Sequence, residues 1–74
     1  MKVAVYGRTF DQSFLRYIQD FFQLLNHYGF QIDVYRDFLS YMIDRYQFHP
    51  SVNKTFTGYK DIDEKMDFLI SIGG

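Results

Sequence analysis

The chain has 74 residues, a net charge of −1, no cysteine and 47% hydrophobic residues, with nine Phe and seven Tyr supplying an unusually aromatic share. That length allows one small domain that buries a modest fraction of its surface. The missing cysteines exclude a disulfide framework and a thiolate metal site. The dispersed charges exclude a nucleic-acid footprint or a polybasic membrane anchor, and no apolar run is long enough to span a bilayer.

The opening MKVAVYG lacks the apolar stretch and small-residue cleavage site of a secretory leader, so the expected setting is cytoplasmic. Within it, residues 2–6 read as a strand. Val3 and Val5 face one side and Ala4 and Tyr6 the other, the pattern of a strand covered on both faces. A helix is predicted over about 11–28. Phe14, Ile18, Phe21, Leu25 and Tyr28 form its stripe, widened by Leu15 and Phe22. Thr9 or Asp11 can cap its start, and Thr9 with Gln12 has capping-box spacing. Gly29 fits a left-handed stop, with Phe30 packing back on Leu25.

FQIDVY alternates as a second strand, with Phe30, Ile32 and Val34 on one face and Gln31, Asp33 and Tyr35 on the other. RDFLSYMIDRYQF follows as a second helix, carrying Phe38, Met42 and Tyr46 on one row and Leu39 and Ile43 beside it. Asp37 is its expected cap, and it should end before His49-Pro50. SVNKTFTGYKDIDEK reads as a turn or hairpin-like loop around Gly58. DFLISI is the last strand, with Phe68, Ile70 and Ile72 on one face and Leu69 and Ser71 on the other.

Strands alternating with helices imply an α/β fold, a three-layer Rossmann-like parallel sheet with right-handed crossovers. The expectation is three parallel strands near 2–6, 31–35 and 68–72, the first in the middle. Ligands of such sheets sit at the carboxyl ends of the strands, which here are Tyr6-Gly7-Arg8 and Ile72-Gly73-Gly74. A glycine pair there lets backbone N–H groups approach a phosphate, although taken alone it reads more readily as a tight turn.

The order of elements, together with MKVAVYGRTF, HYGFQIDVY, TFTGYKDID and the final DFLISIGG, resembles the amino-terminal domain of NAD kinases over essentially the whole chain. In that family the last stretch continues into Asp-Gly, completing a Gly-Gly-Asp-Gly motif shared with phosphofructokinases and diacylglycerol kinases. The resemblance implies a partial nucleotide-binding domain over 1–74, the front piece of a longer enzyme whose carboxyl-terminal NAD-binding domain is absent. It implies phosphoryl transfer from ATP or polyphosphate to the adenosine-ribose 2′-hydroxyl of NAD, giving NADP with the help of a divalent cation such as Mg. The motif's aspartate would be the proton acceptor, so no catalytic residue, and no cofactor-holding set, is expected in these 74 residues. Gly73 and Gly74 match the first half of the motif, Gly7 matches the glycine closing the first strand, and Arg8 is a candidate phosphate neutraliser.

Other polar candidates fit structural roles better. His27 suits a helix end, and His49 has no ligand-spaced partner. Asp61, Asp63, Glu64 and Asp67 alternate with Ile62 and Met66 like a solvated face rather than a cation site. Phe21-Phe22 read as core first and oligomer contact second. Competing classes are a fragment of a lipid or sugar kinase sharing the motif, a flavodoxin-like nucleotide-binding module, for which GRTFDQS is a loose phosphate loop, and a non-catalytic interaction fragment with exposed aromatics. Two open sheet edges and the aromatic excess predict a homo-oligomer or an aggregation-prone piece.

Overall fold

A computed structural model describes residues 1–73. Strand β1 spans Lys2–Gly7, helix α1 Leu15–His27, β2 Gln31–Tyr35, α2 Arg36–Tyr46, β3 Lys54–Phe56 and β4 Phe68–Ile72, with single 3-10 turns at Gln12–Phe14 and Tyr59–Asp61. All pairings are parallel and the sheet order is β3-β2-β1-β4. The α/β Rossmann-like architecture and the central position of β1 are therefore as the sequence implied.

The sheet has four strands rather than three. Thr55 and Phe56, expected in a hairpin-like loop, lie in β3, where Thr55 is in register with Val34 and Phe56 with Tyr35. Three residues are too few for a visible alternation, which is why the pattern gave no strand there.

Handedness explains the layers. The chain steps from β1 to β2 to β3 in one direction, so right-handed crossovers put both helices on one face. Val3 and Val5 of β1 and Ile32 and Val34 of β2 meet Ile18, Phe22 and Leu25 of α1 and Phe38 and Met42 of α2 in one core. Returning from β3 to β4 reverses direction, and residues 57–67 make that passage over the opposite face as the third layer. There Thr57, Gly58, Tyr59 and Ile62 stand over Tyr6, Tyr35, Leu69 and Ser71.

Acidic side chains fasten this passage to the start of β1. Asp63 accepts from Lys2 Nζ at 2.8 Å and from the Lys65 amide at 2.9 Å. Asp67 accepts from the Lys2 amide at 2.8 Å, and its own amide donates to the Lys2 carbonyl at 2.9 Å. Asp61 caps the turn by accepting from the Thr57 amide and hydroxyl. Three of the four acids read as a solvated face are thus backbone and lysine clips, while Glu64 is exposed.

The Lys2 hydrogen bond holds the Asp63 carboxyl at about 2, below its ordinary 3.8, and the Lys2 ammonium is raised by the same bond. A depressed carboxylate stabilises the fold above its unfolded value and loses that effect as pH falls through the folded one. A raised lysine contributes below its unfolded value and loses its effect only in strong alkali. Asp63→Asn should therefore lower the urea midpoint by a constant amount from about pH 5 to about pH 8, the difference closing below about pH 4. Denaturation curves of both proteins across that range check this.

Helix boundaries follow local chemistry. Asp11, rather than Thr9, makes the cap, accepting from the Ser13 amide at 3.1 Å. The turn that follows is 3-10, which changes the helical phase, so Phe14 is 55% exposed instead of joining the stripe. Tyr28 also leaves the stripe, because it lies past the last helical residue as the C-cap. The stop is a Schellman motif: Gly29 has φ +75, its amide donates to Asn26, and Phe30 donates to Leu25. Helix α2 starts at Arg36 after Tyr35, an N-cap with no side-chain hydrogen bond, so Asp37 is a first-turn acid facing the helix dipole rather than the cap. It stops well short of Pro50 because Gln47 turns left-handed, at φ 53.

Candidate functional site

The carboxyl ends of β1 and β4 are neighbours, with Gly7 in register with Ile72. Strand order reverses between them, since β2 and β3 lie on one side of β1 and β4 on the other. Open parallel sheets hold ligands in the crevice at such a reversal. The loop after β1 and Gly73 after β4 therefore emerge together, at the position the glycines were expected to mark.

Each residue there has a distinct local reason. Gly7 is buried, and a Cβ added to it would stand 2.7 Å from Cζ of Phe38. A ring pressed onto the strand end is enough to require glycine there. Gly73 has φ +86, and a Cβ there would meet the Thr9 carbonyl oxygen at 3.3 Å. Here both the left-handed backbone and the close neighbour favour glycine. Gly74, the other half of the expected pair, lies outside the described residues.

Arg8 is exposed on the loop. Its Nε donates to the Tyr6 hydroxyl at 3.2 Å, using one donor of a guanidinium that carries several. That bond raises an already high pKa, so Arg8 is a permanent cation. Tyr6, Gly7, Arg8, Thr9, Tyr35, Asp37 and Tyr41 line a cleft of about 340 Å³ at this end of the sheet. Beside it, the Tyr6, Tyr35 and Phe56 rings form a row across β1, β2 and β3, with centroids 4.8 and 5.8 Å apart. This row floors a second cleft of about 450 Å³ beneath the 57–62 segment.

Sequence reading passed over how the loop is held. Phe10 sends its ring onto α2, stacked on Tyr46 at 5.1 Å and edge-on to Phe38 and Tyr41 at 6.0 and 5.5 Å. The Tyr41 and Tyr46 hydroxyls both donate to the Phe10 carbonyl, at 2.8 and 2.9 Å, and the Phe10 amide donates back to Tyr41 at 3.3 Å. The neighbouring Tyr41 hydroxyl, then burial, push the Tyr46 phenol above its ordinary value, which favours the protonated form that donates to Phe10. One signal was available: Tyr46 carries a hydroxyl on the row of Phe38 and Met42, and such a hydroxyl needs a partner.

The remaining candidates lie elsewhere. His27 is the last residue of α1, edge-on to Tyr28. His49 lines a separate shallow groove with Arg16 and Asp20. Among the described residues no group of three or more Asp, Glu or His could hold a metal ion. Asp37 is the sole carboxylate among the described residues lining the cleft. None of the described helices is long and apolar enough to cross a membrane.

These features define a Rossmann-like α/β protein with its strand order reversing between β1 and β4. Comparison with known proteins makes the relation particular. The chain is 31% identical over all 74 residues to the NAD kinases of Flavobacterium psychrophilum and Flavobacterium johnsoniae, aligning with their amino-terminal quarter. The alignment takes in 100% of this chain and 25% of each relative, so the chain spans about a quarter of the length of the curated relatives it matches. No family model matches it, and no solved structure matches it significantly.

Proposed function

We propose that these residues are the amino-terminal part of an NAD kinase, a cytoplasmic enzyme that transfers a phosphoryl group from ATP or polyphosphate to the adenosine-ribose 2′-hydroxyl of NAD. The observation that carries the reading is the alignment of the whole chain with NAD kinases. The juxtaposition of the Gly7 loop with Gly73 at the strand reversal supports it. Phosphoryl transfer is chiefly positioning and charge neutralisation. In this reading Arg8 neutralises phosphate at the cleft, and the positive φ of Gly73 aims the chain that follows across the carboxyl end of β1. The proton acceptor and most of the NAD pocket belong to the rest of the enzyme. Among the described residues the divalent cation finds no complete ligand set.

The test is NADP formation. The longer protein carrying this segment should phosphorylate NAD with ATP or polyphosphate and a divalent cation, whereas the 74 residues alone should not. Activity in the isolated segment, or none in the longer protein, would overturn the reading.

Self-association belongs to the same proposal. Strand β4 is an open edge whose Phe68 and Leu69 are 50% and 53% exposed, and Tyr17, Tyr28 and Tyr59 are more exposed still. Edges and apolar patches of this kind recruit partners. Sedimentation velocity of the 74-residue chain should show homo-oligomers or aggregates growing with concentration; a monomer throughout would count against it.

A further inference from the structure

We infer that Tyr41 and Tyr46 are positioning residues for the phosphoryl donor, acting through the loop that bears Arg8. The inference rests on the NAD kinase reading for the identity of the donor, but its geometry stands by itself. The loop from Gly7 to Asp11 is fixed at both ends. At the near end Phe38 presses on Gly7, leaving no room for a Cβ. At the far end two hydroxyls from different turns of α2 converge on one carbonyl, that of Phe10, and the Phe10 ring is held among Phe38, Tyr41 and Tyr46. Between the clamps lie only Arg8 and Thr9, and the Thr9 carbonyl is the atom nearest to a Cβ placed on Gly73. Among the described residues Arg8 has no partner stronger than a 3.2 Å bond to Tyr6, so its place at the cleft depends on the backbone that carries it. A fixed cation costs less ordering on binding an anion than a mobile one.

Two donors on one acceptor also make the device redundant. Removing either hydroxyl leaves the carbonyl bonded, and removing both leaves a half-buried acceptor bare and the loop free.

Steady-state kinetics of the longer protein test this with Tyr41→Phe, Tyr46→Phe, the pair together, Arg8→Ala, and the pair combined with Arg8→Ala. Each single tyrosine variant should change the KM for ATP by less than about twofold, while the pair raises it about tenfold, as loss of a charge-assisted contact does. In the pair, kcat and the KM for NAD should stay within about twofold of wild type, since a loosened donor contact is a loss of uniform binding. Arg8→Ala should match the pair, and the combination should add nothing further. An unchanged KM for ATP in the pair, an additive combination, or an effect confined to NAD would overturn the inference. Should the pair fail to fold, a glycine inserted between Arg8 and Thr9 uncouples Arg8 from an intact clamp and must raise the same KM. If the wild-type protein makes no NADP, the kinase reading fails. Calorimetric titration with tripolyphosphate then decides the inference, on the same pattern of losses; no binding by the wild type would also overturn it.

Discussion

Gly7→Val is expected to unfold the chain. The first atom of the new side chain would stand 2.7 to 2.9 Å from three carbons of the Phe38 ring. That ring is only 1% exposed and shares the core with Met42 and Phe22, so it has nowhere to retreat. Overpacking of this kind costs about 1–3 kcal/mol or more. In a single domain of 74 residues such a loss is a large share of the total stability. Circular dichroism in urea should show the folded baseline lost or the midpoint sharply lowered. A paired variant separates packing from any ligand role: Gly7→Ala with Phe38→Leu should recover part of what Gly7→Ala alone loses, because the smaller side chain clears the space.

Gly73→Val should act on turnover rather than on the fold. The residue is exposed at the end of an edge strand, so the core does not depend on it. Its φ of +86 is costly for any side chain and most of all for a branched one, and the added Cβ would press on the Thr9 carbonyl at 3.3 Å. The chain is then forced into another course at the point where, on the NAD kinase reading, the catalytic acid follows. Misplacement of a reacting group by about 1 Å can cost about a hundredfold in rate. NADP formation by the longer protein should fall by about that factor or more, with its thermal midpoint nearly unchanged. On the NAD kinase reading, Gly74→Val, at the second glycine of the motif, should also lower turnover. His27→Asn and His49→Asn, which lie at a helix end and in a separate groove, should leave turnover within about twofold. If Gly73→Val retains full activity, the β1/β4 reversal is not the catalytic end of the enzyme.

Much of this architecture was legible because the residues speak with one period at a time. Val3, Val5, Ile32 and Val34 alternate, Ile18, Phe22 and Leu25 recur at helical spacing, and Gly29 stops α1 in the way its left-handed backbone demands. Legibility failed where the period was interrupted. A single 3-10 turn swung Phe14 out to solvent, and β3 was too short to announce itself. Gln47 adopts a left-handed conformation with no glycine to signal it. Asp33, whose place opposite Ile32 and Val34 was read correctly, is nevertheless buried and accepts from Asn53 at 3.0 Å. Its partner is 20 residues away, and no local pattern reaches that far. At the candidate site, the strand-end glycines marked the β1/β4 reversal, but the ring that leaves no room for a Cβ at Gly7 comes from α2, outside any local pattern. The clamp on Phe10 joins side chains 31 and 36 residues from it in sequence, so spacing alone could not assemble it.

The central position of β1 also sets an order of assembly. Its edge toward β2 is satisfied by a neighbour reached through one helix, as soon as residue 35 or so is available. Its other edge waits for β4, and the Lys2 amide finds its acceptor on Asp67, 65 residues later. Closing so long a loop is entropically slow compared with forming the local β1-α1-β2 unit. During synthesis β1 is therefore made before the other three strands described here and enclosed last. Until β4 docks it exposes a raw, apolar edge, the opening through which another copy of the same strand could pair.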